Sequence, residues 1–414
     1  MTMLKELILI TNRYPFYPGE EFLKLELDFL CEKFSKVHII PVNSVDHSKK
    51  RDLPPNVEVH HIPAFNRKKK SLFKYDGLLD RQGREWIFSE RTTAGKYGIK
   101  GYGKMISWAA NAVNLRNYIQ NSFIEAHKGT EFVVYSYWLS LALGVAFLKE
   151  MYPCISAYSR GHGGDIYDYR HNPPYLPFKH KVIERLNRTF IISGNGVQYL
   201  SEQAGGVNAN LEIARLGTLK PKGRSGSSED GVFRIVSCSY IVPVKRLDLV
   251  AKSLADCSEK IHWTHIGDGP GREEIEQLVS ILPEHVTYEF KGNMGNDEVI
   301  QFYINHPLDL FINVSSSEGI PVSIMEAFSC GIPAVATEVG GTGELVNDRN
   351  GELIPKDFDI RELARILDHA AKSSLEDREK KRMAAFDTWN EQYNAEKNYS
   401  KFSGELLGNG GAGR

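Results

Sequence analysis

Cysteine is scarce in this chain of 414 residues: there are five, far apart, with no C-x-x-C pair and no histidine cluster. Neither a disulfide framework nor a structural zinc site is signalled, and a reducing compartment fits. Charge of one sign is lacking too. Lysine and arginine total 51 against 52 acidic residues, a formal net charge of -1, so nothing global points to nucleic acid. Long hydrophobic runs are missing. The greasiest, YSYWLSLALGVAFL at 135–148, is too short to span a bilayer and reads as a buried strand end followed by a helix. The opening MTMLKELILITNRYPF runs straight from its apolar stretch into polar residues, so a strand is expected there and not a secretory leader. The expectation is a soluble, cytoplasmic protein.

What is present is ordinary globular composition, 42% hydrophobic and 25% charged, over a length that exceeds one core. Two domains are therefore expected. The first half alternates strands (LILIT 7–11, VHIIPV 37–42, VEVHHIP 57–63, FVVYSYW 132–138, CISAY 154–158, FIIS 190–193) with helices. One of these, EEFLKLELDFLCEKF at 20–34, puts Phe22, Leu23, Leu27, Leu30 and Phe34 on one face. This is the pattern of an α/β fold with a mostly parallel sheet covered on both faces. The polar stretch LKPKGRSGSSEDG at 219–231 has no apolar spacing and reads as a linker. A second series follows, with strands FRIVSCS (233–239), IHWTHIG (261–267), VTYEFKG (286–292), LDLFINV (308–314) and PAVAT (333–337). The expected division is 1–205, a linker region 206–231, 232–388, and a terminal helix within 389–414 that packs back on the first domain. The basic stretch 66–104, with four bases at Arg67 to Lys70, and the amphipathic helix expected at 105–127 break the simple repeat. The stretch reads as a solvated insertion or as a face toward anionic lipid or an anionic acceptor.

Open α/β sheets bind ligands beyond the C-terminal ends of their strands. LDLFINVSSSEG ends there, and the next helix starts near Pro321 and Val322. Its first amides point outward and favour an anion such as phosphate; Gly319, Ile320, Val322 and Ser323 supply them, Pro321 does not. Glu318 precedes the helix and Glu326 lies inside it among apolar residues, where a carboxylate needs a partner. Two carboxylates bracketing an anion site fit a ligand with phosphates in the middle and hydroxyls at both ends, the layout of a nucleoside diphosphate sugar. Lys245 and Arg246 stand near another helix start, where a bound pyrophosphate would make cations favourable. IGDGPGREEIEQL at 266–278 is a tight turn into a helix, not a dinucleotide fingerprint. In the first half, Gly19 precedes a helix in TNRYPFYPGEEF, and His162 lies between glycines in SRGHGGDIYDYR, with Asp165 close by.

The segment Glu318 to Glu326, beside GDGPG, P-x-K-R and INVSSSEG in that order, resembles the E-x7-E motif of the retaining glycosyltransferases of family 4. The resemblance runs over nearly the whole chain and is strongest from 232 to 346. It implies the GT-B fold: two doubly wound Rossmann-like domains facing each other across a cleft, an acceptor-binding one first and a donor-binding one second. It implies that Glu318 holds the donor sugar hydroxyls, Glu326 the ribose and Lys245 the diphosphate, with Gly19, Ser239 and Arg246 in the donor-binding set. His162 becomes the acceptor-side residue near the reacting sugar, with Asp165 beside it, and His162, Lys245 and Glu318 become the catalytic residues. One departure stands out. In SYIVPVKR, Tyr240 occupies the place of the family's usual arginine, so either Arg246 or another base supplies the charge there or phosphate binding is weakened. The implied activity is retaining transfer of a hexose-type sugar from a UDP- or GDP-sugar to a glycan or lipid-linked acceptor, in bacterial surface-polysaccharide assembly. No cofactor or metal is expected, and a peripheral contact with anionic membrane is a further expectation. The alternatives are a nucleotide-sugar epimerase or sugar phosphorylase on the same scaffold, and a non-catalytic binding homologue.

Overall fold

The computed structural model describes residues 5–43, 49–62, 75–206 and 210–408. The chain divides into two compact units, one of residues up to Ala214 together with those from Tyr399 onward, the other Arg215–Asn398.

The first unit holds a sheet of seven strands: β1 (Glu6–Thr11), β2 (Lys36–Pro41), β3 (Val57–Val59), β4 (Phe132–Ser136), β5 (Ser156–Gly161), β6 (Arg188–Ile191) and β7 (Leu211–Ile213). Their spatial order is β3-β2-β1-β4-β5-β6-β7, and all pairs are parallel. β1 explains why. Its apolar residues are all buried, and they alternate: Leu7 and Leu9 enter one core cluster, Ile8 and Ile10 the other, as a central strand covered on both faces requires. The helix Phe22–Lys33 covers one face with Leu23, Leu27 and Leu30, whereas Phe22, expected on that face, is half exposed. Under it Arg160 of β5 and Glu26 form a wholly buried ion pair. Tyr135 donates to the same carboxylate at 2.8 Å, and the guanidinium lies 4.1 Å from the Phe402 ring centre.

The insertion between β3 and β4 is helical: Asp76–Leu79, Arg81–Gly95 and Gly98–Ile119. The last begins seven residues before the expected 105, and within its first turn a Cβ at Gly101 would stand 2.2 Å from the Ala94 carbonyl oxygen. Arg67 to Lys70 lie outside the described residues.

The second unit holds β8 (Phe233–Cys238), β9 (Ile261–Ile266), β10 (Val286–Gly292), β11 (Leu310–Asn313), β12 (Ala334–Thr337) and β13 (Gly351–Ile354), in the order β10-β9-β8-β11-β12-β13, again all parallel. Each unit is thus a doubly wound Rossmann-like layer of helices around a sheet. The stretch 219–231 is no loose tether. Ser225 and Ser228 are buried, Ser225 N–H donates to the Cys330 carbonyl at 3.0 Å, and Ser228 N–H to Asp309 at 2.9 Å. The C-terminal segment is two helices, Leu375–Gln392 and Ala395–Leu406, where one was expected; Phe402 and Leu406 enter the core of the first unit. Among the described residues no helix is long and apolar enough to cross a membrane.

Candidate functional site

In the second sheet the strand order reverses between β8 and β11, which are hydrogen-bonded neighbours with Leu310 opposite Ile235. Loops leaving a parallel sheet at such a reversal diverge and open a crevice. Both loops here carry predicted residues. After β8 come Ser239, the exposed Tyr240, a single turn Pro243–Lys245, and Arg246 in the left-handed region at φ 50°. After β11 come Ser315 to Gly319 and then the helix Val322–Ser329. The Ser316 amide donates to the Val244 carbonyl at 2.9 Å and ties the loops together. Lys245 Nζ donates to Glu318 Oε1 at 2.7 Å, so the predicted cation and the first predicted carboxylate form an ion pair, with Asn313 Nδ2 at 3.4 Å from the same oxygen.

Two glycine contacts set this geometry. At Gly267, with φ at 133°, a Cβ would stand 1.9 Å from the Ser239 carbonyl oxygen; at Gly340 one would stand 2.1 Å from that of Glu318. Only glycine permits backbone to press on backbone there. Gly341 N–H then donates to the Gly319 carbonyl at 2.7 Å.

At the helix start, the Ile324 and Met325 amides reach the Pro321 carbonyl. Val322 and Ser323 therefore carry the first N–H groups, which have no acceptor within the helix. Glu326, 8% exposed, faces inward and accepts from the Asn296 side-chain amide. Burial pushes its carboxyl up to about 7. Arg246 is spent elsewhere: its guanidinium donates to the carbonyls of Val314 at 2.6 Å, Lys356 at 2.8 Å and Ser315 at 3.3 Å. It braces the end of β11, which leaves Lys245 as the cation paired with Glu318.

The first sheet reverses between β1 and β4, and the remaining predicted residues follow β1 and β5. Gly19 has φ 100°, and a side chain there would meet no other atom within 4 Å of its Cβ. Beside it Glu20, itself at φ 57°, accepts from the amides of Asn12 at 2.9 Å, Arg13 at 2.6 Å and Tyr14 at 2.6 Å, and from Trp138 Nε1 at 2.6 Å. His162 is not the surface loop residue its glycine setting allows. It is 8% exposed, its ring lies 4.7 Å from that of Tyr137 and 4.6 Å from that of Trp138, and neither ring nitrogen has a hydrogen-bond partner among the described residues. Burial and the Arg160 charge hold its pKa well below the usual imidazole range. Asp165 caps the short turn that follows by accepting from the His162 amide at 2.6 Å, and burial pushes it up to about 7. Asp165 also lines a cavity of about 330 Å³ with Trp108, Trp138, Asn12, Asn43 and Asn111. Asn296, Glu20 and these tryptophans were not singled out in the sequence. Trp138 was read as part of a greasy run, and nothing local marks Asn296 as a partner of a residue 30 positions on.

The family described as Glycosyl transferases group 1 matches residues 223–387. The O-antigen biosynthesis glycosyltransferase WbnH of Escherichia coli is 37% identical over 123 residues, 30% of this chain and 33% of that protein. The chain spans about a fifth to a third of the length of such curated relatives. Among solved structures, the lipopolysaccharide outer core galactosyltransferase WaaB in its apo form superposes with TM-score 0.70 at 13% identity, covering 97% of this chain and 99% of that one. HepE of Anabaena in complex with UDP-glucose superposes with TM-score 0.61 at 15% identity, covering 97% and 99%. The chain therefore has the GT-B fold. It is related, through its second unit, to the glycosyl transferases group 1 and so to enzymes of bacterial surface polysaccharides.

Proposed function

We propose that the chain is a retaining glycosyltransferase of family 4 that moves a hexose-type sugar from a UDP- or GDP-sugar to a hydroxyl of a glycan or lipid-linked acceptor. One observation carries this reading: the Lys245–Glu318 pair, built from the two strand ends at the sheet reversal, with Glu318 four residues ahead of the helix Val322–Ser329. In the free protein the carboxylate of Glu318 neutralises Lys245. A donor diphosphate takes over the lysine and the Val322 and Ser323 amides, and releases Glu318 to accept hydrogen bonds from the sugar hydroxyls. As the sugar–phosphate bond breaks, negative charge grows on the diphosphate, and Lys245 and the amides already point at it. The ribose hydroxyls fall to Glu326. His162 and Asp165 belong to the acceptor side, where the cavity beside Asp165 offers indole faces and side-chain amides, groups that suit the apolar faces and hydroxyls of a sugar. The acceptor hydroxyl attacks on the face from which the diphosphate leaves, and the diphosphate takes its proton.

A lipid-linked acceptor is supported by the helical insertion. Leu79, Phe88 and Ile99 are exposed there, the last at 91%, among exposed Arg84, Arg91, Lys96 and Lys100, while the exposed Arg81 is paired with Glu85. Apolar side chains within a basic surface suit an anionic bilayer.

The test is a panel of UDP- and GDP-sugars screened by thermal shift, with the best donor then offered to saccharide and lipid-linked acceptors and the product linkage read by NMR. The expected result is transfer only with acceptor present and an unchanged anomeric configuration. An inverted product overturns the retaining mechanism. Saturable donor binding with no transfer to any acceptor favours the non-catalytic reading, to which the exposed Tyr240 in place of an arginine lends support.

A further inference from the structure

At the β3 edge of the first sheet, three metal-ligand side chains share one face. His38 of β2 stands opposite Glu58 of β3 in the parallel register. His60 follows Glu58 by two residues and continues the ladder, its amide donating to the Ile39 carbonyl at 2.8 Å. The period of two puts Glu58 and His60 on the same side, and the register lays His38 beside them. His38 Nδ1 and His60 Nε2 are 3.0 Å apart. The Glu58 carboxylate lies 4.0 Å from the first and 3.9 Å from the second. The three donor atoms fall within 4.8 Å of one another.

We propose that His38 Nδ1, His60 Nε2 and a Glu58 oxygen form a binding site for a divalent transition-metal ion, with zinc as the fitting ion and water as the fourth ligand. A tetrahedral ion with bonds of about 2.0–2.1 Å spaces its ligand atoms about 3.3 Å apart; the two imidazole nitrogens, 3.0 Å apart, already approach that spacing, and the half-exposed Glu58 side chain closes the rest by rotating inward. A further carboxylate orients the site. His38 Nε2 lies 2.8 Å from Glu6 Oε2, so the ring gives its proton to Glu6 and turns the Nδ1 lone pair toward His60. Two lone pairs cannot face each other at 3.0 Å. Without an ion, His60 Nε2 must carry a proton between them. With an ion, His60 moves that proton to Nδ1 and both facing nitrogens become ligands, with no net proton released. Phe123 walls the site, its ring 5.0 Å from that of His38 and 5.1 Å from that of His60.

The surrounding charges favour a dication. Glu6 and Glu58 contribute two negative charges against Lys36, whose Nζ is 2.6 Å from Glu58 Oε2 on an exposed side chain that is free to swing away. His61 is the other titratable neighbour of His60. An ion here clamps the three-residue edge strand β3 to β2. Its role is structural, and sugar transfer is not its readout.

The experiment uses the full chain without an affinity tag, stripped with EDTA, dialysed, and titrated with Zn²⁺ against a chromophoric chelator. Expected are one equivalent bound with a micromolar or lower Kd, a Tm raised by several degrees in excess Zn²⁺, and visible d–d bands of a four-coordinate site with Co²⁺. His60→Gln and Glu58→Gln should each weaken binding by about 100-fold or more, and Glu6→Gln by about 10- to 100-fold. The metal-free variants should keep the wild-type circular dichroism, and their Tm should no longer rise with Zn²⁺. A wild-type affinity no tighter than that of His60→Gln, or a Tm indifferent to Zn²⁺, overturns the site and leaves only a His38–His60 hydrogen bond.

Discussion

Lys245 has a carboxylate partner before any ligand arrives, and this decides how its loss should be felt. Removing it takes away a charge that matters most when the diphosphate departs, and it leaves Glu318 without its cation. Lys245→Ala is expected to lower kcat by about 10²–10³-fold, with a smaller change in the donor KM. Steady-state kinetics with the cognate donor check this, and a near-normal kcat removes Lys245 from the chemistry. Glu326 yields a pH effect whose sign follows from burial. Its native carboxyl titrates at about 7 against an ordinary value of 4.5. Between those values the folded chain binds more protons than the unfolded one, so this residue's contribution falls as pH rises through the window and stays low above it. Glu326→Gln keeps a carbonyl for Asn296 and removes the effect. Its Tm should match wild type near pH 4.5 and exceed it increasingly toward pH 8, by the equivalent of about 2–3 kcal/mol. The same substitution should weaken nucleoside diphosphate binding; unchanged affinity removes Glu326 from the ribose role.

At the scale of elements, most of the two sheets was legible because central parallel strands are buried on both faces and read as apolar runs, as in β1 and β4. The edges were not. β7 and β13 are short, and their side chains are only partly buried, so their sequences LEI and GELI carry little apolar signal. The stretch 219–231 looked like a tether because its buried contacts are made by serine hydroxyls and backbone, which leave no hydrophobic pattern. Histidines 22 positions apart likewise gave no metal signature until the register of β2 and β3 set them side by side. At the predicted site, the glutamates and Lys245 were legible from their place after strands, whereas the diversion of Arg246 into three carbonyls depends on a left-handed backbone at that residue. The helical insertion adds a prediction. Phe88→Asp with Ile99→Asp should leave the fold unchanged, since both side chains are exposed, and should abolish cosedimentation with vesicles containing phosphatidylglycerol. Equal sedimentation of the variant and wild type, or none by wild type, speaks against a bilayer on this face.

For the molecule as a whole, the charge that matters most to packing is Arg160, wholly buried against Glu26 in the core of the first unit. Removing one partner leaves the other desolvated and alone, at a cost of about 3–5 kcal/mol. Glu26→Gln should lower the urea midpoint of the unit that contains it, and the double change Glu26→Leu with Arg160→Met should restore most of the loss. If the single variant unfolds at the wild-type urea concentration, the pair does not hold the first unit together.

That same core is closed by Phe402 and Leu406, which come from a helix made after the entire second unit. During synthesis the first unit therefore waits, with the aromatic cover of Arg160 missing, until the whole of Arg215–Asn398 has emerged. A nascent chain paused after Asn398 should still be open to protease in its first unit, because the stretch that seals it leaves the ribosome only after everything it covers.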